Sequence, residues 1–94
     1  MIKISDFILT GKDQAISLSD LAAVVSIPER EVKKEILQAR LSGELILSGE
    51  RGYYLPSDPD ELREYVIKRK AYIKTASKAL RPFVNALNLA GDQA

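Results

Sequence analysis

The 94-residue chain has no cysteine, no histidine and no tryptophan, and the first two absences each remove a class of chemistry. Without cysteine there is neither a disulfide framework nor a thiolate metal site. Without histidine the commonest metal-ligating nitrogen and the commonest general base are both missing. The carboxylates are scattered over capping and surface positions, so no enzyme, no cofactor and no metal is expected. Long apolar runs are lacking too, which removes a membrane-spanning helix from the expectation. No succession of charged, apolar and small residues opens the chain as a signal peptide would. A reducing, cytoplasmic setting is the resulting expectation.

Charge of one sign is also scarce. Fourteen basic and thirteen acidic side chains leave a net charge of +1, so bulk charge does not argue for nucleic acid. Distribution carries more information. All seven bases of the last third fall between Arg63 and Arg81, where Glu64 is the only acid. With 46% apolar and 29% charged residues the remainder is ordinary for one small globular domain.

Five glycines and four prolines punctuate what is there. KISDFILTG reads as a short helix with Ser5 as N-cap, Ile4, Phe7 and Ile8 on one face, and Gly11 as its end. Lys12, Asp13 and Gln14 make a loop, and Ala15-Ile16 a brief extended piece. Ser17-Leu18-Ser19-Asp20 is an S-x-x-D variant of the capping box and opens a helix over LSDLAAVV, with Leu21, Ala22 and Val25 inward. Pro28 forces the preceding residue out of the helical region and ends it. A further helix runs through EREVKKEILQARLS to Gly43, with Val32, Ile36 and Ala39 as its inner stripe. Two such helices joined by a short turn are the pattern of a helix-turn-helix. Leu45-Ile46-Leu47, a turn of about four residues from Gly49 to Gly52, and Tyr53-Tyr54-Leu55 then read as a β-hairpin. Alternation puts Tyr53 and Leu55 on the core side, and Tyr54 under whatever follows.

The order of elements, with ISLSDLAAVVSIPEREVKKEI for the helix pair, QARLSGELI leading into the hairpin and RGYYL closing it, resembles the winged helix-turn-helix at the N-terminus of bacterial biotin repressors. It is also similar to small winged-helix proteins of phages and mobile elements in Gram-positive bacteria. The resemblance covers Ile16 to Leu55, with Pro28 in place of the usual serine cap and Ala39 in place of the usual leucine. It implies a mainly α fold with a small β-hairpin wing (α+β), and sequence-specific binding of double-stranded DNA in transcriptional regulation or as an accessory DNA binder. The expected layout is a winged helix-turn-helix over residues 1–57, a long helix over 58–90 in the same structural unit, and a disordered tail over 91–94.

In that frame the helix after Pro28 faces the major groove. At about 100° per residue, with Val32 at zero, Arg30, Lys33, Lys34 and Leu37 fall between roughly 100° and 200°, on one outward face. Glu31, Glu35 and Gln38 fall on the flank. Arg30 suits bidentate contact to guanine, and Lys33 and Lys34 suit phosphate. Ser17 presents a helix N-terminus to a phosphate, or simply caps. Arg51 at the hairpin tip is the remaining DNA candidate, with Glu50 beside it cancelling most of its charge. The competing reading of the helix is an ordinary solvated face with i,i+4 pairs such as Glu29 with Lys33.

The last third begins on Asp58-Pro59-Asp60-Glu61, a D-x-x-E capping box with proline at the first helical position. The helix it opens carries Leu62, Val66, Arg69, Ile73, Ala76, Leu80, Phe83 and Leu87 in alternating steps of four and three, a coiled-coil seam broken only by Arg69. Tyr65, Tyr72 and Ala79 widen it. Pro82 kinks or restarts this helix. Either the stripe folds back over Leu47 or Tyr54, or it pairs with a second copy, and a homodimer is the expectation. Arg63, Lys70, Lys74, Lys78 and Arg81 gather on another face. An interaction module that assembles through the same surfaces without DNA is the alternative function.

Overall fold

Helix boundaries in this chain follow its local stop and start signals. The computed structural model describes residues 3–89, so the tail expected at 91–94 and the last residue of the expected long helix lie outside the described residues. Three α-helices, α1 (Leu18–Val25), α2 (Glu29–Leu41) and α3 (Pro59–Leu89), frame a two-stranded antiparallel sheet of β1 (Leu47–Gly49) and β2 (Gly52–Tyr54).

Ser17 caps α1 by accepting the Asp20 N–H at 3.1 Å. The helix ends where Ser26 turns left-handed at φ 58°, two residues before Pro28. α2 starts directly after that proline without a side-chain cap, and Glu29 and Glu31 in its first turn oppose the helix dipole instead. It closes in a Schellman motif: Glu44 N–H reaches the Ala39 carbonyl and Gly43 N–H that of Arg40, with Gly43 at φ 99°. Leu21, Ala22 and Val25 of α1 and Val32, Ile36 and Ala39 of α2 bury their inward faces in one core with Ile4, Ile8 and Ile46.

The N-terminal segment departs from expectation. Ile4–Phe7 form a single 3-10 turn, with Lys3 rather than Ser5 at the cap position. Ser5 instead donates its hydroxyl to Glu44, and Phe7 faces solvent while Ile4 and Ile8 are buried. Gly11 does not end this turn, which stops at Ile8. Lys12–Gln14 form a second 3-10 turn rather than an open loop. Ile16 is extended, as expected, and pairs with Tyr53 through two hydrogen bonds of 2.8 and 2.9 Å.

The first strand of the hairpin lies two residues later than Leu45–Leu47, and the second lies one residue earlier than Tyr53–Leu55. Leu47 pairs with Tyr54, Ser48 with Tyr53 and Gly49 with Gly52, leaving only Glu50 and Arg51 in the loop. Tyr53 and Leu55 pack half-buried against the core, whereas Tyr54 and Leu47 face the other way and are almost wholly buried.

α3 runs unbroken through Pro82, and its first two turns cover that second face of the hairpin. Its start follows the capping box with one shift. Asp58 accepts the Glu61 N–H at 2.8 Å, but Glu61 takes the Ser57 N–H rather than that of the cap, and its other oxygen takes the Lys12 N–H at 3.1 Å. From Val66 to Leu89 every residue is exposed. The radius of gyration is 17.0 Å, against about 12 Å for a globular chain of this length. The difference is the free-standing part of α3.

Candidate nucleic-acid interface

α2 is held from its inner side and from its C-terminal end. Val32 and Ile36 are 0% and 2% exposed, fixing the rotation of the helix about its axis. Arg40, which the sequence did not single out, donates Nε–H to the Ile46 carbonyl at 2.9 Å and a second N–H to Ser48 at 3.3 Å. Its guanidinium also lies 6.0 Å from the centre of the Tyr65 ring. One side chain therefore ties α2 to β1 and α3. No local pattern marks it, because its partners are carbonyl and ring groups in other elements.

With that rotation fixed, Arg30, Lys33, Lys34 and Leu37 all project into solvent from one side of α2. None of the three cations takes part in an ion pair among the described residues, and the Glu29–Lys33 pair of the competing reading does not form. Glu35 and Gln38 lie on the flank toward Lys3, Ile4 and Glu44, lining a shallow depression there. Glu35 is thus set apart from the outward cations, whereas Glu29, about 40° from Lys33 around the helix, is exposed beside them.

Ser17 and Arg51 belong to a different neighbourhood. The Ser17 hydroxyl is engaged in capping α1. Together with Leu18, Tyr53 and Arg51 it borders a groove between the α1 N-terminus and the hairpin tip. Arg51 is exposed and has no ion-pair partner among the described residues, while Glu50 stands next to it. The groove that these two residues border does not include Arg30, Lys33, Lys34 or Leu37.

Beneath α3 the electrostatics serve the fold. Burial raises the Tyr54 pKa above the ordinary tyrosine value, and the carboxylates of Glu61 and Glu64 raise it further. The Lys68 ammonium bonds Glu64 at 2.8 Å and holds that carboxyl below its usual range, with Lys12 adding to the effect. Lys68 is raised in turn by Glu64. For Tyr54 the unfolded chain ionises near pH 10 while the folded chain resists. Stability present below that pH is therefore lost as pH rises through the folded value. Thermal melts of wild type and Tyr54→Phe are expected to diverge above about pH 10, wild type losing melting temperature faster. Parallel curves would remove Tyr54 as the source.

Among the described residues no three histidine, cysteine, aspartate or glutamate side chains converge as a metal site would need, and no helix is long and apolar enough to cross a membrane. Comparison with known protein families, characterised proteins and solved structures gives no match to this chain.

Proposed function

We propose that residues 1–57 form a winged helix that binds double-stranded DNA, with α2 in the major groove. The observation that carries this reading is the outward face of α2: Arg30, Lys33, Lys34 and Leu37 together, exposed, and its cations unpaired among the described residues. A solvated face of no further purpose gains little from leaving three cations unpaired by the acids of their own helix. Phosphate contacts are made by such free cations. The Ile16–Tyr53 pairing supports the winged-helix reading, since it adds a strand fragment before α1 to the hairpin after α2. The reduction of the first helix to one 3-10 turn is a departure from the families it resembles.

Arg30 reaches base edges on this reading, Lys33 and Lys34 the flanking phosphates, and Leu37 offers apolar contact to a thymine methyl. Arg51 at the hairpin tip adds at most one backbone contact. Regulation of transcription in a bacterial cytoplasm, by a bacterial or phage protein, is the setting this implies.

Two copies act together, paired through α3. Its stripe from Val66 to Leu87 has no cover among the described residues, which supports a homodimer over a helix folded back along its whole length. That same overhang favours a second reading, an assembly module without DNA.

The deciding measurement is binding to duplex DNA as a function of salt. Three to five neutralised phosphates per dimer predict a log–log slope of about −3 to −5. Absence of binding at low salt sinks the DNA reading and leaves the assembly module.

A further inference from the structure

We propose that α3 pairs with a second copy in antiparallel orientation, over the stretch that projects beyond the hairpin; this rests on the two-copy reading above. The stripe residues Val66, Ile73, Leu80, Phe83, Val84 and Leu87 are between 40% and 67% exposed. Their helix stretch is about 33 Å long. Pairing it buries on the order of 800 Å² per copy, the size of a standard specific interface.

The orientation follows from three features of that stripe. The first is Arg69, which stands in the seam with its guanidinium 5.2 Å from the centre of the Tyr72 ring and no ion pair among the described residues. A parallel pair sets two Arg69 side chains in one layer, like charge against like in an apolar seam. An antiparallel pair separates them.

The second feature is size. Parallel pairing stacks Ala76 on Ala76 and Leu80 on Leu80, leaving one layer underfilled beside a filled one. Antiparallel layers match unlike seam positions, so Ala76 meets Leu80, Ile73 meets Phe83 and Arg69 meets Leu87. Small against large fills the space evenly.

The third feature is reach. In that register the described end of one α3, Leu89, lies opposite Ile67 of the other. That is just past Tyr65, the last residue of α3 that is part-buried against its own hairpin. Shifting the pairing by one heptad brings Leu87 opposite Leu62, into the space that the hairpin occupies.

Antiparallel pairing has a consequence for charge. Its twofold axis runs perpendicular to the helices, so equivalent faces of both copies lie on the same side. Lys70, Lys74, Lys78 and Arg81 border one open depression on a single face of α3. Antiparallel pairing gathers both sets on one side of the dimer, a positive surface suited to a phosphate backbone. Parallel pairing sends them to opposite sides.

The native chain has no cysteine, so introduced thiols report without background. Ile73→Cys and Phe83→Cys chains, each alone and then mixed, are oxidised and separated under non-reducing conditions. Antiparallel pairing gives a covalent dimer in the mixture and little in either single variant, since like positions are about 15 Å apart. Cross-linking of each variant with itself, and not of the mixture preferentially, overturns the orientation but leaves the two-copy reading intact. Arg69→Cys with Leu87→Cys provides a second pair should the first weaken association. Wild type sedimenting with the mass of one chain at tens of micromolar overturns the orientation and the two-copy reading together. DNA binding by α2 is measured separately and is untouched by either result.

Discussion

Replacing Gly52 by alanine is expected to destabilise the fold by about 3 kcal/mol or more, a large share of the roughly 5–14 kcal/mol available to a domain of this length. Two costs add. Gly52 holds φ at 123°, a region L side chains rarely adopt, which costs about 1–3 kcal/mol. A Cβ there would overlap the Ile16 carbonyl and come within 2.8 Å of Ser17 Cα, both backbone atoms that cannot swing aside. Moving them loosens the two Ile16–Tyr53 hydrogen bonds, each worth about 0.5–1.5 kcal/mol. It also disturbs the cap of α1. Melting temperature should fall by on the order of 15 °C. Gly43 is the control. It too has positive φ, at 99°, but nothing lies within 4 Å of an added Cβ, so alanine there should cost only about 1 kcal/mol. Equal losses at both sites would show that the close approach at Gly52 is not what the fold depends on.

The contrast between those glycines also explains what is legible in the sequence. α1 and α2 can be read nearly to the residue because their limits are set locally, by Ser17, Pro28 and Gly43 acting on adjacent backbone. The inward residues of both helices follow from spacing alone. The first strand reads two residues early because Leu45-Ile46-Leu47 is the more apolar run, whereas pairing is governed by the two-residue loop between Gly49 and Gly52. Ser5 misleads because its hydroxyl partner, Glu44, is 39 positions away. Arg40 escapes notice although its hydrogen-bond partners are only six and eight residues on, because no spacing pattern marks the Ile46 carbonyl, Ser48 or the Tyr65 ring. The outward face of α2 is legible in advance, since burying Val32 and Ile36 dictates where Arg30, Lys33 and Lys34 point. The side of the hairpin that α3 covers is half legible: alternation separates Tyr54 from Tyr53, but only the fold shows Tyr54 to be the more buried of the two.

Changing Arg30, Lys33 and Lys34 together to alanine is expected to lower DNA affinity at least about a hundredfold, without loss of stability. A bidentate arginine–guanine contact discriminates by about 1–3 kcal/mol, so Arg30 alone accounts for roughly tenfold to a hundredfold. The two lysines act through phosphate, and their removal should make the salt slope shallower by about 0.9 for each phosphate left unneutralised. The two effects are separable. Arg30→Ala alone should erode preference among duplex sequences with little change in slope, and Lys33→Ala/Lys34→Ala should lower affinity for all sequences alike. Stability should hold because the three side chains are exposed and, among the described residues, form no ion pair, and because alanine favours a helix. Unchanged melting with abolished binding therefore isolates the surface from the fold. Unchanged binding in the triple variant would leave α2 with no part in holding DNA, and would move the search to the cations of α3, where Lys70, Lys74, Lys78 and Arg81 are likewise unpaired among the described residues.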